Sequence, residues 1–168
     1  MATRLGVPPI DPSRYVVPRP MESLATVTLV IPVAITTAML PARVPWLTAV
    51  PGRDLRAYRA ALLVGILAAQ LPAVALVAHA GELPITQVAA AWLFLTSLGV
   101  LTTTVHARLA GLVPALTILT FSQASELPPF AWNIFYNLDR QPTLLALDAL
   151  LLPLAAAAYI HRGAHRTS

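Results

Sequence analysis

Asp148 is the single acidic side chain set well inside an apolar run, about two turns into LLALDALLLPLAAAA. A carboxylate at the centre of a membrane helix costs on the order of 2.5–3.5 kcal/mol on insertion scales, so it should face other helices or be protonated. Two roles follow from that. It can pack through hydrogen bonds, for which Thr117 and Thr120 of the preceding apolar run are candidate donors, or it can lie on an ion or substrate path. Gln70 beside Pro72, and the run Thr102-Thr103-Thr104, are the other polar groups within apolar stretches. Such side chains serve more often as hydrogen-bonding glue between helices than as ligands.

The remaining chemistry is sparse. Of the four histidines, His161 and His165 stand at i, i+4, which matches a helical pair of metal ligands, but they lie in a basic tail with no acidic partner nearby, and no metal site is expected. There is no cysteine, which removes disulfides, thiolate nucleophiles and cysteine-based metal sites. No nucleophile with a base and no pair of carboxylates can be set at one depth, so no enzyme is expected. The phosphate-cradling pattern G-x-x-x-x-G-K-[ST] is missing as well. The chain therefore binds no cofactor of its own on this reading, and any ATP would be hydrolysed by a partner subunit.

The elements that position these residues follow from composition. Among 168 residues 57% are hydrophobic and 11% charged, with a mean hydropathy of +0.72. Soluble domains carry about 25% charged residues, so lipid is the expected solvent. The net charge is +4, but the arginines are spread between apolar runs and form no single basic face, which argues against nucleic acid. A helix needs about 17–25 apolar residues to cross roughly 30 Å of hydrocarbon. Five stretches are candidates, at about 23–41, 60–79, 85–105, 108–123 and 143–160, the fourth short enough to call for a thin or tilted crossing. The expected fold is all-α: a polytopic transmembrane bundle over residues 23–160, between a Pro-rich tail (1–22) and a basic one (161–168). The first span, rich in Thr and Val, reads equally as a re-entrant hairpin. Pro32, Pro72, Pro114 and Pro153 fall inside four of the five spans and predict kinks. Gly65, Gly99 and Gly111 show no GxxxG spacing, so they assign no dimer face.

Arginine placement predicts the orientation, because basic loops stay on the cytoplasmic side. Loop 42–59 carries Arg43, Arg53, Arg56 and Arg59, the 106–108 connection carries Arg108, and the C-terminal tail carries Arg162 and Arg166. The opposite loops carry Arg140 with Glu82, Glu126 and Asp139. This predicts a multi-pass protein of a bacterial plasma membrane with a cytoplasmic C-terminus. The N-terminal tail, with Arg4, Arg14 and Arg19, conflicts with that rule unless the first segment is re-entrant.

Two connecting segments stand out. In LPPFAWNIFYN (127–137), Phe130, Trp132, Phe135 and Tyr136 cluster just before the last span. Amphipathic rings prefer the headgroup level, which predicts a short helix lying on the outer interface. Loop 42–59 ends in a Pro-Gly turn and RDLRAYR, where Asp54 can pair with Tyr58 or Arg59. It is expected to be a solvated basic loop or a docking surface for a soluble subunit.

The order of these parts resembles the membrane subunit of type-two ATP-binding-cassette exporters, in particular the short Ala/Leu/Arg-rich permeases of high-GC bacteria. The likeness rests on three features: the loop PWLTAVPGRDLRAYRAALL after an early span, a tight helical hairpin at 85–123, and PPFAWNIFYN before a last helix ending in Arg. Six spans are usual in that family, against five here. The resemblance implies that Arg53, Asp54, Leu55 and Arg56 contact a cytoplasmic nucleotide-binding subunit, and that Phe130, Trp132 and Tyr136 lie over the translocation path. The function it implies is a non-catalytic permease that moves a hydrophobic or amphipathic cargo, embedded in membrane lipid and paired with a second membrane chain. The competing expectations are a small accessory or scaffold subunit of a larger membrane complex, and a proton-coupled carrier working through Asp148.

Overall fold

Apolar side chains in long runs leave the backbone to satisfy its own hydrogen bonds, and the helix does this within one segment. The computed structural model describes residues 27–42, 55–123, 134–135 and 140–163, and the secondary structure among them is helical. Among the described residues there are five α-helices: α1 (Val30–Ala42), α2 (Arg56–Ala80), α3 (Ile85–Val105), α4 (Leu112–Gln123) and α5 (Gln141–Arg162). A short 3-10 turn, Ala107–Leu109, joins α3 to α4. The protein is an all-α helical bundle.

α2, α3 and α5, of 25, 21 and 22 residues, are long and apolar enough to cross a membrane. α1 and α4 have 13 and 12 residues, or roughly 18–20 Å at 1.5 Å per residue, well short of the hydrocarbon thickness. Among the described residues the first and fourth expected spans are thus shorter than a full crossing. One of the four expected kink sites changes meaning as well. Pro72 and Pro153 lie inside α2 and α5, and Pro32 follows a break at Leu29 between helical residues 27–28 and α1, but Pro114 falls in the first turn of α4. There the backbone N–H has no partner to lose.

The α2–α3 hairpin closes tightly. Glu82 takes a left-handed φ of 52°, while the N–H groups of Glu82 and Leu83 donate back to His79 and Ala78 carbonyls at 3.3 and 3.0 Å. This pair of bonds ends α2, and Pro84 then caps α3 from outside the ladder. α2 and α4 run antiparallel to α3. α5 runs parallel to it: Gln141 Nε2 donates to Thr86 Oγ1 at 3.2 Å at the start of both helices, and Ala155 and Tyr159 pack with Val100 towards their far ends.

α3 is the hub. It touches all four other helices, and 61% of its most apolar stretch is buried, against 22% for α2 and for α5. The outer helices turn Val64, Leu71, Leu76, Leu145, Leu150 and Leu154 outward. α1 reaches α3 closely because residue 99 is glycine: a Cβ there would meet Thr37 Cγ2 at 2.6 Å.

Candidate functional site: two polar loci on the central helix

The first locus joins three helices. Trp92 Nε1 on α3 donates to Gln70 Oε1 on α2 at 2.5 Å, and Gln70 Nε2 donates to Thr36 Oγ1 on α1 at 2.8 Å. The Thr36 hydroxyl in turn donates to the Pro32 carbonyl at 2.6 Å. Gln70 is 1% exposed, yet both ends of its amide are engaged. A buried amide is stable only with its partners in place, so this chain of bonds fixes how α1, α2 and α3 meet. Gln70 thus bridges helices, as expected of it. Thr102, Thr103 and Thr104 do not: their hydroxyls donate to the carbonyls of Leu98, Gly99 and Leu101 in their own helix. A backbone carbonyl one turn away is always in reach of a helical threonine.

Asp148 on α5 and Thr96 and Ser97 on α3 are three further buried polar side chains, carried by two helices that pack against each other. Their side chains are 4%, 0% and 1% exposed, and none of their oxygens has a hydrogen-bond partner among the described residues. Asp148 lies on a stripe with Gln141, Leu144, Ala155 and Tyr159, at the three- and four-residue spacing that puts side chains on one helix face. Gln141, Ala155 and Tyr159 of that stripe meet α3. On α3, Thr86, Leu93, Ser97 and Val100 recur in the same way. Counting from the Gln141–Thr86 bond, seven residues along each parallel helix bring Asp148 level with Leu93, within about one turn of Ser97. Thr96 stands one turn on from Trp92 and one turn before Val100, which packs with Leu63 of α2 and Ala155 of α5. The register therefore sets these three side chains within about one turn of one another along the α3–α5 pair.

The expected donors to Asp148 are placed elsewhere. Thr117 and Thr120 donate to the carbonyls of Val113 and Leu116 in α4, both at 2.8 Å, and α5 packs on α3 and α2 rather than on α4. Asp148 thus belongs to a helix packed mainly on α3 and α2, an arrangement that chain order does not reveal.

Of the aromatic segment, Phe130, Trp132 and Tyr136 lie outside the described residues. Phe135 does not anchor at the interface. It is 2% exposed, its ring meets Phe121 and Phe94 edge-on at centroid distances of 5.1 and 5.8 Å, and its carbonyl accepts a 2.7 Å bond from Gln87 Nε2. Its hydrophobic area goes to the core because α3 and α4 offer a ready aromatic pocket. Arg53 and Asp54 also fall outside the described residues, while Leu55 and Arg56 open α2. Arg59, with Tyr58 one of two expected partners for Asp54, has its guanidinium against the end of α5. There Nη1 donates to the Ile160 and His161 carbonyls at 3.1 and 3.4 Å, and the group covers Gly163, whose φ of +75° suits glycine. Among the described residues no cluster of three or more metal-ligating side chains occurs.

Sequence reasoning passed over Trp92, Thr36, Thr96 and Ser97. The indole N–H of a tryptophan deep in an apolar run was a usable signal, because it needs an acceptor when buried. A groove of about 350 Å³ between α1 and α2, lined by Thr36, Met39, Ala61, Gly65, Ile66 and Ala69, opens beside the first locus. Its lining is apolar apart from the Thr36 hydroxyl. In comparisons with known proteins, no family model, no curated protein and no solved structure matches this chain.

Proposed function

We propose that the chain is a non-catalytic membrane subunit of a transport complex: a permease-type bundle that works with a second membrane chain and a separate cytoplasmic ATPase to move a hydrophobic or amphipathic cargo. The supporting observation is the asymmetry between the two ends of the bundle. One end gathers Arg56, Arg59, Arg108 and Arg162 with no acidic residue among those described, and the other has Arg140 with Glu82. By the positive-inside rule the basic end is cytoplasmic. Arg59 also ties the start of α2 to the end of α5 there, so a push on the α2 start reaches the end of α5. That is the mechanical requirement for a partner's conformational cycle to move the bundle.

The outward apolar faces of α2 and α5 favour a second reading, an accessory or scaffold subunit whose helices pack against other chains. Purification from native membranes in mild detergent, with co-purifying chains identified by mass spectrometry, separates the two. A stoichiometric nucleotide-binding subunit that is lost on replacing Arg53 and Arg56 by Glu is the expected result. A large complex lacking such a subunit replaces the permease reading with the scaffold one.

A further inference from the structure

We propose that the junction of α3 and α5 binds one sodium ion, with the Asp148 carboxylate as its charged ligand and the hydroxyls of Ser97 and Thr96 as neutral ones. Three observations converge on this.

The first is the behaviour of the hydroxyls. Seven other threonines in these helices, at 36, 37, 102, 103, 104, 117 and 120, donate to a carbonyl three or four residues back. Thr96 and Ser97 are in regular helix with the same carbonyls in reach and do not use them. Their oxygens make no such bond, and within about one turn along the α3–α5 pair a carboxylate from the neighbouring helix is equally unpartnered. Leaving a buried polar group unmade costs about 1–3 kcal/mol, and three together on two touching helices call for a common partner.

The second is charge. α1, α3 and α4 carry no charged residue. On α2 the titratable groups are Arg56, Tyr58, Arg59 and His79, and on α5 besides Asp148 they are Tyr159, His161 and Arg162. Gln70 marks the α2 level of Trp92, and Arg59 and His79 lie eleven and nine residues from it, roughly 14 Å or more along the helix. No described cation stands at the level of Asp148. An ionised carboxylate in an apolar interior needs one compensating positive charge, and a monovalent ion supplies that where a divalent ion would leave an excess.

The third is the donor set. Two carboxylate and two hydroxyl oxygens, with no nitrogen or sulfur ligand among them, suit a hard cation. So few protein oxygens enclose a small ion better than a large one.

The test uses the whole chain, purified without partners and placed in lipid nanodiscs, so its outcome is independent of any ATPase. Binding of radioactive 22Na+ is measured by scintillation proximity, and thermal unfolding is compared in sodium chloride and choline chloride of equal ionic strength. Saturable 22Na+ binding and a higher Tm in sodium are expected for the native chain, because a ligand that binds only the folded state stabilises it. Both are lost in Asp148→Asn. Ser97→Ala keeps the carboxylate and the fold, leaves the Tm in choline near the native value, and raises the half-saturating sodium concentration roughly ten-fold, the equivalent of one interaction of about 1.4 kcal/mol. A native chain that binds no 22Na+, a sodium effect that persists in Asp148→Asn, unchanged affinity in Ser97→Ala, or stabilisation that follows pH and ignores sodium would each overturn the assignment.

Discussion

The two polar loci on α3 differ in one respect that matters. At Trp92, Gln70 and Thr36 each donor finds an acceptor on a different helix, and the chain ends on a backbone carbonyl. At Asp148, Thr96 and Ser97 the burial is as deep, but no partner follows among the described residues. A satisfied buried network specifies how elements pack, and an unsatisfied one is a cost that packing alone does not explain. One locus is thus architectural, while the other is the place where this bundle gives up stability. Substitutions at the two should move stability in opposite directions.

Gln70→Leu carries the largest expected effect. It removes two interhelical bonds and strands the Trp92 N–H in the apolar interior. Interhelical bonds in membranes are worth about 0.6 kcal/mol on average and up to about 1.7, so a loss of about 2 kcal/mol is expected in mixed-micelle unfolding followed by circular dichroism. Stability equal to the native chain would remove the architectural role from this locus.

Gly99→Ala comes next. The added methyl meets Thr37, whose hydroxyl already donates to the Val33 carbonyl at 2.6 Å and whose side chain is fully buried. Overpacking of this kind costs about 1–3 kcal/mol, and the lower half of that range is expected because the nearest atom is the end of a side chain. The same unfolding experiment reads it. Trypsin sensitivity at the arginines of the 43–54 segment should rise with it, since α1 loosens from the hub.

Asp148→Leu should do the reverse. In choline, with no sodium present, replacing a buried unpaired carboxylate by an apolar side chain raises stability by about 1 kcal/mol, because such a replacement removes a desolvation cost and leaves no stranded partner behind. Sodium should narrow the gap by stabilising only the native chain. If Asp148→Leu destabilised the bundle in choline as Gln70→Leu does, the contrast between the two loci would collapse.

Much of the architecture was legible from residue type and spacing. The long helices stand where apolar runs exceed the bilayer thickness, and the α2–α3 hairpin stands where Gly81-Glu82-Leu83-Pro84 interrupts them. Gln70 and Asp148 were visible as costly intramembrane polar groups. Their different fates were not legible, because a partner on another helix depends on which faces meet. Asp148 belongs to a helix that runs parallel to the hub and packs mainly on α3 and α2. Phe135 shows the same gap: its ring chemistry fits an interface, but its neighbours Phe94 and Phe121 come from α3 and α4 and draw it into the core. The short length of α4 was half visible, since Pro114 starts a helix as readily as it kinks one.

The smallest effect should come from Arg59→Gln, at the basic end far from both loci. The arginine neutralises carbonyls at the C-terminus of α5, where the helix dipole favours a cation, and such contacts contribute about 0.3–1 kcal/mol at exposed sites. Gln is shorter, loses the charge and uncovers Gly163, so the global unfolding free energy should fall by no more than about 0.5 kcal/mol. Local behaviour should change more. Hydrogen exchange at the last turn of α5, around Tyr159 to Gly163, should quicken while exchange in α3 stays constant. If exchange in α3 quickened too, the basic end and the hub would be coupled through α5, and the Asp148 locus would lie on the line between them. That outcome would join the end argued to face a partner to the locus argued to hold an ion.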